Sequence, residues 1–191
     1  MTARWPIHDL APASFGVNLA PRNVRSASSV AGSAQVVSSS AGIWTITMGG
    51  IAIRTKEQRR LWREWQTLLE GMLNPVLIPM CRGDQPVVAA TINDPAAVGA
   101  TSFAGITIVS GGGIQAGHGF SVGDGEFYRV RTIAGTAMTF RPPLRTALAD
   151  NAALEFQDAT CRCRLASDQE MDMDFELRKF GSATLRFFED V

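Results

Sequence analysis

Lysine is nearly absent from this chain. Lys56 and Lys179 are its only contributions to 18 basic residues, and arginine supplies the rest. Arginine's planar fork suits fixed ion pairs at interfaces, although a GC-rich genome produces the same bias. There is no excess of either charge, because 18 acidic residues balance the basic ones. That neutrality supplies no electrostatic argument for nucleic acid or an anionic membrane. It also removes the self-repulsion that keeps proteins apart. Cysteine is sparse and odd in number: Cys81, Cys161 and Cys163 make no secreted disulfide framework. No apolar run approaches the ~20 residues of a membrane-spanning helix. Trp5, Pro6, His8 and Asp9 stand where a signal peptide would carry its apolar core, so none is expected.

Helical periodicity is also missing, except in one place. Thr55 is a credible N-cap for residues 55–70, and Gln58 follows where a capping box needs it. Gly71 can supply the left-handed residue that ends the helix. Leu61, Trp62, Trp65, Leu68, Leu69 and Met72 form one apolar stripe, and Lys56, Arg59, Arg60, Arg63, Glu64 and Gln66 lie elsewhere on the surface. A single amphipathic helix must cover a sheet. This pattern argues for a mainly β fold, a sandwich or split barrel with one flanking helix, and against an alternating α/β enzyme.

What remains is strand and turn. Strands are expected around 15–19, at 34–38 and 42–54, and at Pro75–Met80. In the strand at 42–54, Trp44, Ile46 and Met48 share a face, and Gly49-Gly50 marks a bulge or bend. Residues 26–33 are small and polar and read as a loop or arm. From Gly83 the chain becomes glycine-rich, with short β-branched runs at 107–109 and 128–133 and another strand at 137–140. These suggest a small barrel inserted at 83–145. The chain then returns to the first domain (1–82 and 146–191) through strands at 154–156 and 160–165 and a closing hairpin. In that hairpin Met171, Met173, Phe175 and Leu177 alternate with Asp172, Asp174, Glu176 and Arg178, and Phe180-Gly181-Ser182 makes the turn.

Candidate chemistry is thin. His8 and His118 have no ligand neighbours at useful spacing. Cys161 and Cys163 share a strand face, but Cys81 cannot complete a four-ligand zinc site, so core cysteines are the expectation. Asp172, Asp174 and Glu176 lack the glycine and carbonyl ligands of a calcium loop. They read as a solvated face or as a stripe facing arginines such as Arg59 and Arg63 of a neighbouring subunit. Gly111-Gly112-Gly113 lacks the Lys-Ser/Thr of a phosphate loop. The tripeptide Arg82-Gly83-Asp84 is too short to carry meaning. Ser121 and Ser182 have no nucleophile elbow. No catalytic residue, cofactor or metal ion is expected. Trp44, Trp62, Trp65 and Leu69 are assigned to core and helix packing.

The order of elements resembles a known family. A Trp5-Pro6 segment precedes a small-residue stretch ending in Gly32-Ser33-Ala34-Gln35. There follow the strand Gly42-Ile43-Trp44-Thr45-Ile46, the helix with Trp62 and Leu69-Glu70-Gly71, and Pro75-Val76-Leu77-Ile78-Pro79. Arg141-Pro142-Pro143-Leu144-Arg145 and the Met171–Val191 segment complete the likeness. Together they resemble the distal tail and tail-tip ring proteins of long-tailed bacteriophages. The resemblance implies a tail-tube-like β-sandwich with a flanking helix, plus an inserted barrel. It also implies a virion protein, made in the host cytoplasm, that forms a homo-oligomeric ring, with six copies expected. Such a ring joins the tail tube protein to the hub or baseplate. A tube, completion or hub subunit, or a carbohydrate-binding module, is the alternative.

Overall fold

A computed structural model describes residues 2–25, 36–80, 83, 85–172 and 181–191. The chain is mainly β, with two sheets and, among the described residues, one helix. Its elements are β1 (Ala3–Arg4), β2 (Ser14–Arg25), β3 (Val36–Ile53), α1 (Lys56–Leu69), β4 (Val76–Pro79), β5 (Val88–Ile92) and β6 (Ser102–Phe103). They continue with β7 (Ile106–Gly111), β8 (Gly119–Val122), β9 (Glu126–Ala134), β10 (Ala137–Arg141), β11 (Ala153–Glu155), β12 (Thr160–Leu165) and β13 (Gly181–Glu189).

The six-stranded sheet has the order β1-β4-β12-β13-β3-β2. Helix α1 covers it. Thr55 Oγ1 accepts from Gln58 N at 3.1 Å, and the Gln58 side chain accepts from Thr55 N at 3.2 Å, so the capping box is closed. At the other end Glu70 takes the left-handed conformation (φ 46°), and Gly71 follows with φ 64°. Trp62, Trp65 and Leu69 are buried against Trp5, Ile46, Met48 and Phe187 in one core. Trp5 reaches this core from the N-terminal segment, its ring 5.2 Å from that of Trp65. The apolar stripe is narrower than its sequence period suggests: Leu68 and Met72 are exposed. They lie past the edge of the surface that the sheet offers.

The second sheet, β6-β10-β9-β8-β11-β5-β7, has seven strands and curls into a half-barrel. Its edge strands β6 and β7 adjoin in sequence, and a bond from Ile106 N to Thr136 O (2.9 Å) ties the start of β7 to the β9–β10 turn. Its core is aromatic: Phe103, Phe120, Tyr128, Phe140 and Phe156 are all buried.

Three expectations need correction. The strand at 154–156 does not return to the first domain. Leu154 pairs with Ala90 and Glu155 with Ser121, so the second unit extends past residue 145 to Phe156. Gly181 and Ser182 are not a turn, because they pair with Ile53 and Ala52 inside β13. Asp172 is not on a strand, and residues 173–180, including Asp174 and Glu176, lie outside the described residues. The small-residue stretch at 26–35 lies outside them too. By contrast, Gly49-Gly50 does bulge. The β3–β13 register shifts there, and Gly50 has a φ of 66° that only glycine adopts freely. No described helix is long and apolar enough to cross a membrane.

Candidate assembly surface

Among the described residues strands β2 and β3 are the longest, and they outrun their sheet. β13 accompanies β3 only from Ile53 to Thr45. Beyond that, among the described residues β2 and β3 pair only with each other, out to Arg25 opposite Val36. Residues 36–41 of β3 thus add roughly 20 Å of two-stranded ribbon at about 3.3 Å per residue. Between Ala20 and Arg22 the register shifts, so Pro21 faces an excess of residues in β3. Proline cannot donate to a ladder, and it is placed here at a bulge on an edge strand, where none is required. A two-stranded ribbon standing alone is marginal in water.

The base of this arm is tied down by Trp44. Its backbone N–H donates to Glu189 Oε2 (3.0 Å), and its indole Nε1 donates to the carbonyl of Phe127 (2.8 Å). The Trp44 ring meets the Phe127 ring edge-on at 5.2 Å, and the Arg129 guanidinium lies 5.0 Å from its centroid. Glu189 is one of the few buried charged residues. Its partner is Arg145, whose Nε donates at 3.1 Å and whose Nη2 also bonds Gly42 O at 3.0 Å. The network continues: Arg145 N donates to Tyr128 Oη (3.0 Å), and Tyr128 Oη donates to Glu126 Oε2 (2.7 Å). One polar chain therefore runs from the curled sheet into the six-stranded sheet, at the foot of the arm.

Burial sets the electrostatics here. It raises the Glu189 carboxyl above its ordinary pKa, although the Arg145 guanidinium and the Trp44 N–H pull it back down. Burial likewise pushes the Tyr128 phenol far up, keeping it a neutral donor, and lowers the Arg129 guanidinium.

The residues singled out from the sequence divide into two groups. Trp44, Trp62, Trp65 and Leu69 are all core. Arg59 is half-buried and Arg63 exposed on α1. Asp172 approaches the same helix, 3.5 Å from Gln66 Nε2 and one turn beyond Arg63. Cys161 and Cys163 are buried, and burial lifts the Cys161 thiol well above its usual range. His8 is exposed, and His118 Nδ1 accepts from Gln115 N at 3.0 Å. Ser121 Oγ accepts from Thr160 N at 3.1 Å. Among the described residues no three His, Cys, Asp or Glu side chains cluster as metal ligands would.

Sequence reasoning missed Arg145 and Glu189. A signal for Glu189 was present: it stands two residues beyond Phe187 and four beyond Leu185, on the inward face of a strand. An acid at an inward position demands a partner. Nothing local identifies Arg145 as that partner. No protein-family model matches the sequence, and a search among curated proteins finds no match either.

Proposed function

We propose that this chain is a structural protein of a bacteriophage tail tip, of the distal tail type. It assembles into a ring, with six copies expected, that connects the tail tube protein to the hub, and it does so without catalysis. The observation that carries the reading is the β2–β3 arm. A ribbon that leaves its sheet for about 20 Å needs another surface to cover its backbone groups. In a head-to-tail ring the neighbouring copy provides that surface. The helix-on-sheet core and the order of elements also fit the family that the sequence resembles. Burial of Phe103, Phe120, Phe127, Tyr128 and Phe140 weighs against a carbohydrate-binding module, which would stack sugars on exposed rings.

Mass measurement of the purified chain in solution, with electron micrographs of the same sample, tests the proposal. Rings are expected for the full chain, and monomers for a variant in which a short turn replaces residues 21–41. A full chain that stays monomeric at high concentration, and alongside the tube and hub proteins, refutes it.

A further inference from the structure

Strands β9 and β10 do not keep step. Thr139 lies opposite Thr132, but Phe140 lies opposite Val130, so Arg131 is an extra residue in β9. A bulge of this kind bends the strand and re-aims a side chain. Burial follows it: Val130 is buried and Ile133 packs on the aromatic core, whereas Arg131 and Thr132 between them are both exposed. On β10 the alternation is regular. Met138 and Phe140 go to the core, and Thr139 and Arg141 go to the outer face. The bulge therefore places Arg131 on the face that already carries Thr132, Thr139 and Arg141.

These four residues, with Thr101 and Phe140, line an open cleft of about 270 Å³. The Thr132 and Thr139 hydroxyls are 2.6 Å apart. Among the described residues no carboxylate lines the cleft. Among the described residues neither Arg131 nor Arg141 forms an ion pair, although Arg4, Arg145, Arg162, Arg164 and Arg186 all do. Arg129, directly opposite Arg141, adds a third guanidinium, and Trp44 already occupies its face. Like charges paired across a ladder repel. The chain has as many acidic as basic residues, and none of its described acids lines this cleft.

We infer that this cleft is an oxyanion-binding site that takes a phosphate-type group between Arg131 and Arg141. Guanidinium forks match the paired oxygens of such a group. The Thr132–Thr139 bond uses one hydroxyl proton and leaves the other to donate outward. Two forks and a free hydroxyl offer more donors than the two oxygens of a carboxylate can absorb, which favours a phosphate. The inference rests on the cleft alone and is independent of ring formation.

Calorimetric titration of the full chain at constant ionic strength, with inorganic phosphate and separately with tripolyphosphate, tests it. Saturable binding is expected. Arg131→Gln and Arg141→Gln should each weaken it about tenfold, as loss of a charge-assisted hydrogen bond does. Arg60→Gln, on α1, should leave it unchanged. Equal affinity for the two probes assigns the site to a free anion. Binding of tripolyphosphate at least about tenfold tighter (~1.4 kcal/mol) assigns it to a phosphate polymer. The double variant should melt no lower than the parent, since like charges have been removed, so lost binding cannot be ascribed to unfolding. Absence of saturable binding to either probe overturns the inference. So does binding that survives in the double variant or falls equally in Arg60→Gln.

Discussion

Replacing Arg145 by methionine keeps most of the side-chain volume and removes the cation paired with Glu189. The carboxylate is 3% exposed and the guanidinium 17% exposed, so this is a buried pair. Removing one partner of such a pair costs about 3–5 kcal/mol, because the remaining charge is stranded. In a chain of this size 1 kcal/mol shifts the melting temperature by roughly 2–4 °C, so a fall on the order of 10 °C is expected. The pH dependence has a definite sign. Glu189 already titrates above its unfolded value. Folding therefore favours its protonated form, and this group's contribution to stability declines as pH rises from the unfolded pKa through the folded one. Without Arg145 the folded pKa rises further and that decline deepens. The gap between parent and variant should thus be widest near neutrality and narrow as pH falls through the variant's raised folded pKa, where Glu189 becomes neutral. Thermal melts at a series of pH values measure it. The double variant Arg145→Met/Glu189→Gln should recover part of the loss, because a neutral amide can still accept from Trp44 N. If Arg145→Met melts with the parent at neutral pH, or if the gap widens on acidification, the account of this junction is wrong.

Three other outcomes follow from the packing. Trp65→Ala should cost about 3–5 kcal/mol in chemical denaturation, as other large-to-alanine core changes do; an unchanged midpoint would mean that the helix face is not core. Trp44→Phe should cost about 1–3 kcal/mol more than Trp5→Phe, because only the Trp44 indole has a hydrogen-bond partner, whereas Trp5 Nε1 is buried without one. Equal losses in the two variants would contradict that. Replacing residues 81–158 by a short linker should still allow the six-stranded sheet to form, since Met80 N bonds Ala159 O at 2.8 Å and the two ends are adjacent. The shortened chain should nevertheless be less stable than the parent, because it loses Arg145, the partner of Glu189, and the Phe127 carbonyl and ring that hold Trp44. A shortened chain as stable as the parent would show that the two sheets are energetically independent.

Local rules made α1 legible, because Thr55, Gln58 and the tryptophan spacing all act within a few turns of one helix. The Gly49-Gly50 bulge was legible for the same reason. Alternation located the strand at 154–156 but could not say which sheet it joins, since Leu154 is inward-facing in either. The pattern at 181–182 misled because Gly-Ser is turn chemistry wherever it occurs, and only the partner strand β3 shows that it is paired. The foot of the arm was invisible for a different reason. Arg145, in the loop after β10, and Glu189, in β13, are 44 residues apart, and no short-range period links them. Arg131 escaped notice because a bulge breaks the very alternation that would have placed it.

The position of β13 has a consequence for how this chain is made. It sits between β12 and β3, in the interior of the six-stranded sheet, yet it follows the sheet's other described strands in sequence. The curled sheet draws all its strands from one continuous stretch, β5 to β11, and can close while synthesis continues. The other sheet cannot. Until residues 181–189 emerge, the β3 edge from Thr45 to Ile53 and the facing edge of β12 have no partner. Unpaired edges in nascent chains invite pairing with the wrong molecule. Residues 181–189 thus act as a keystone, and a chain cut short before β13 is left with two bare edges and with Trp44 lacking the carboxylate that holds its backbone.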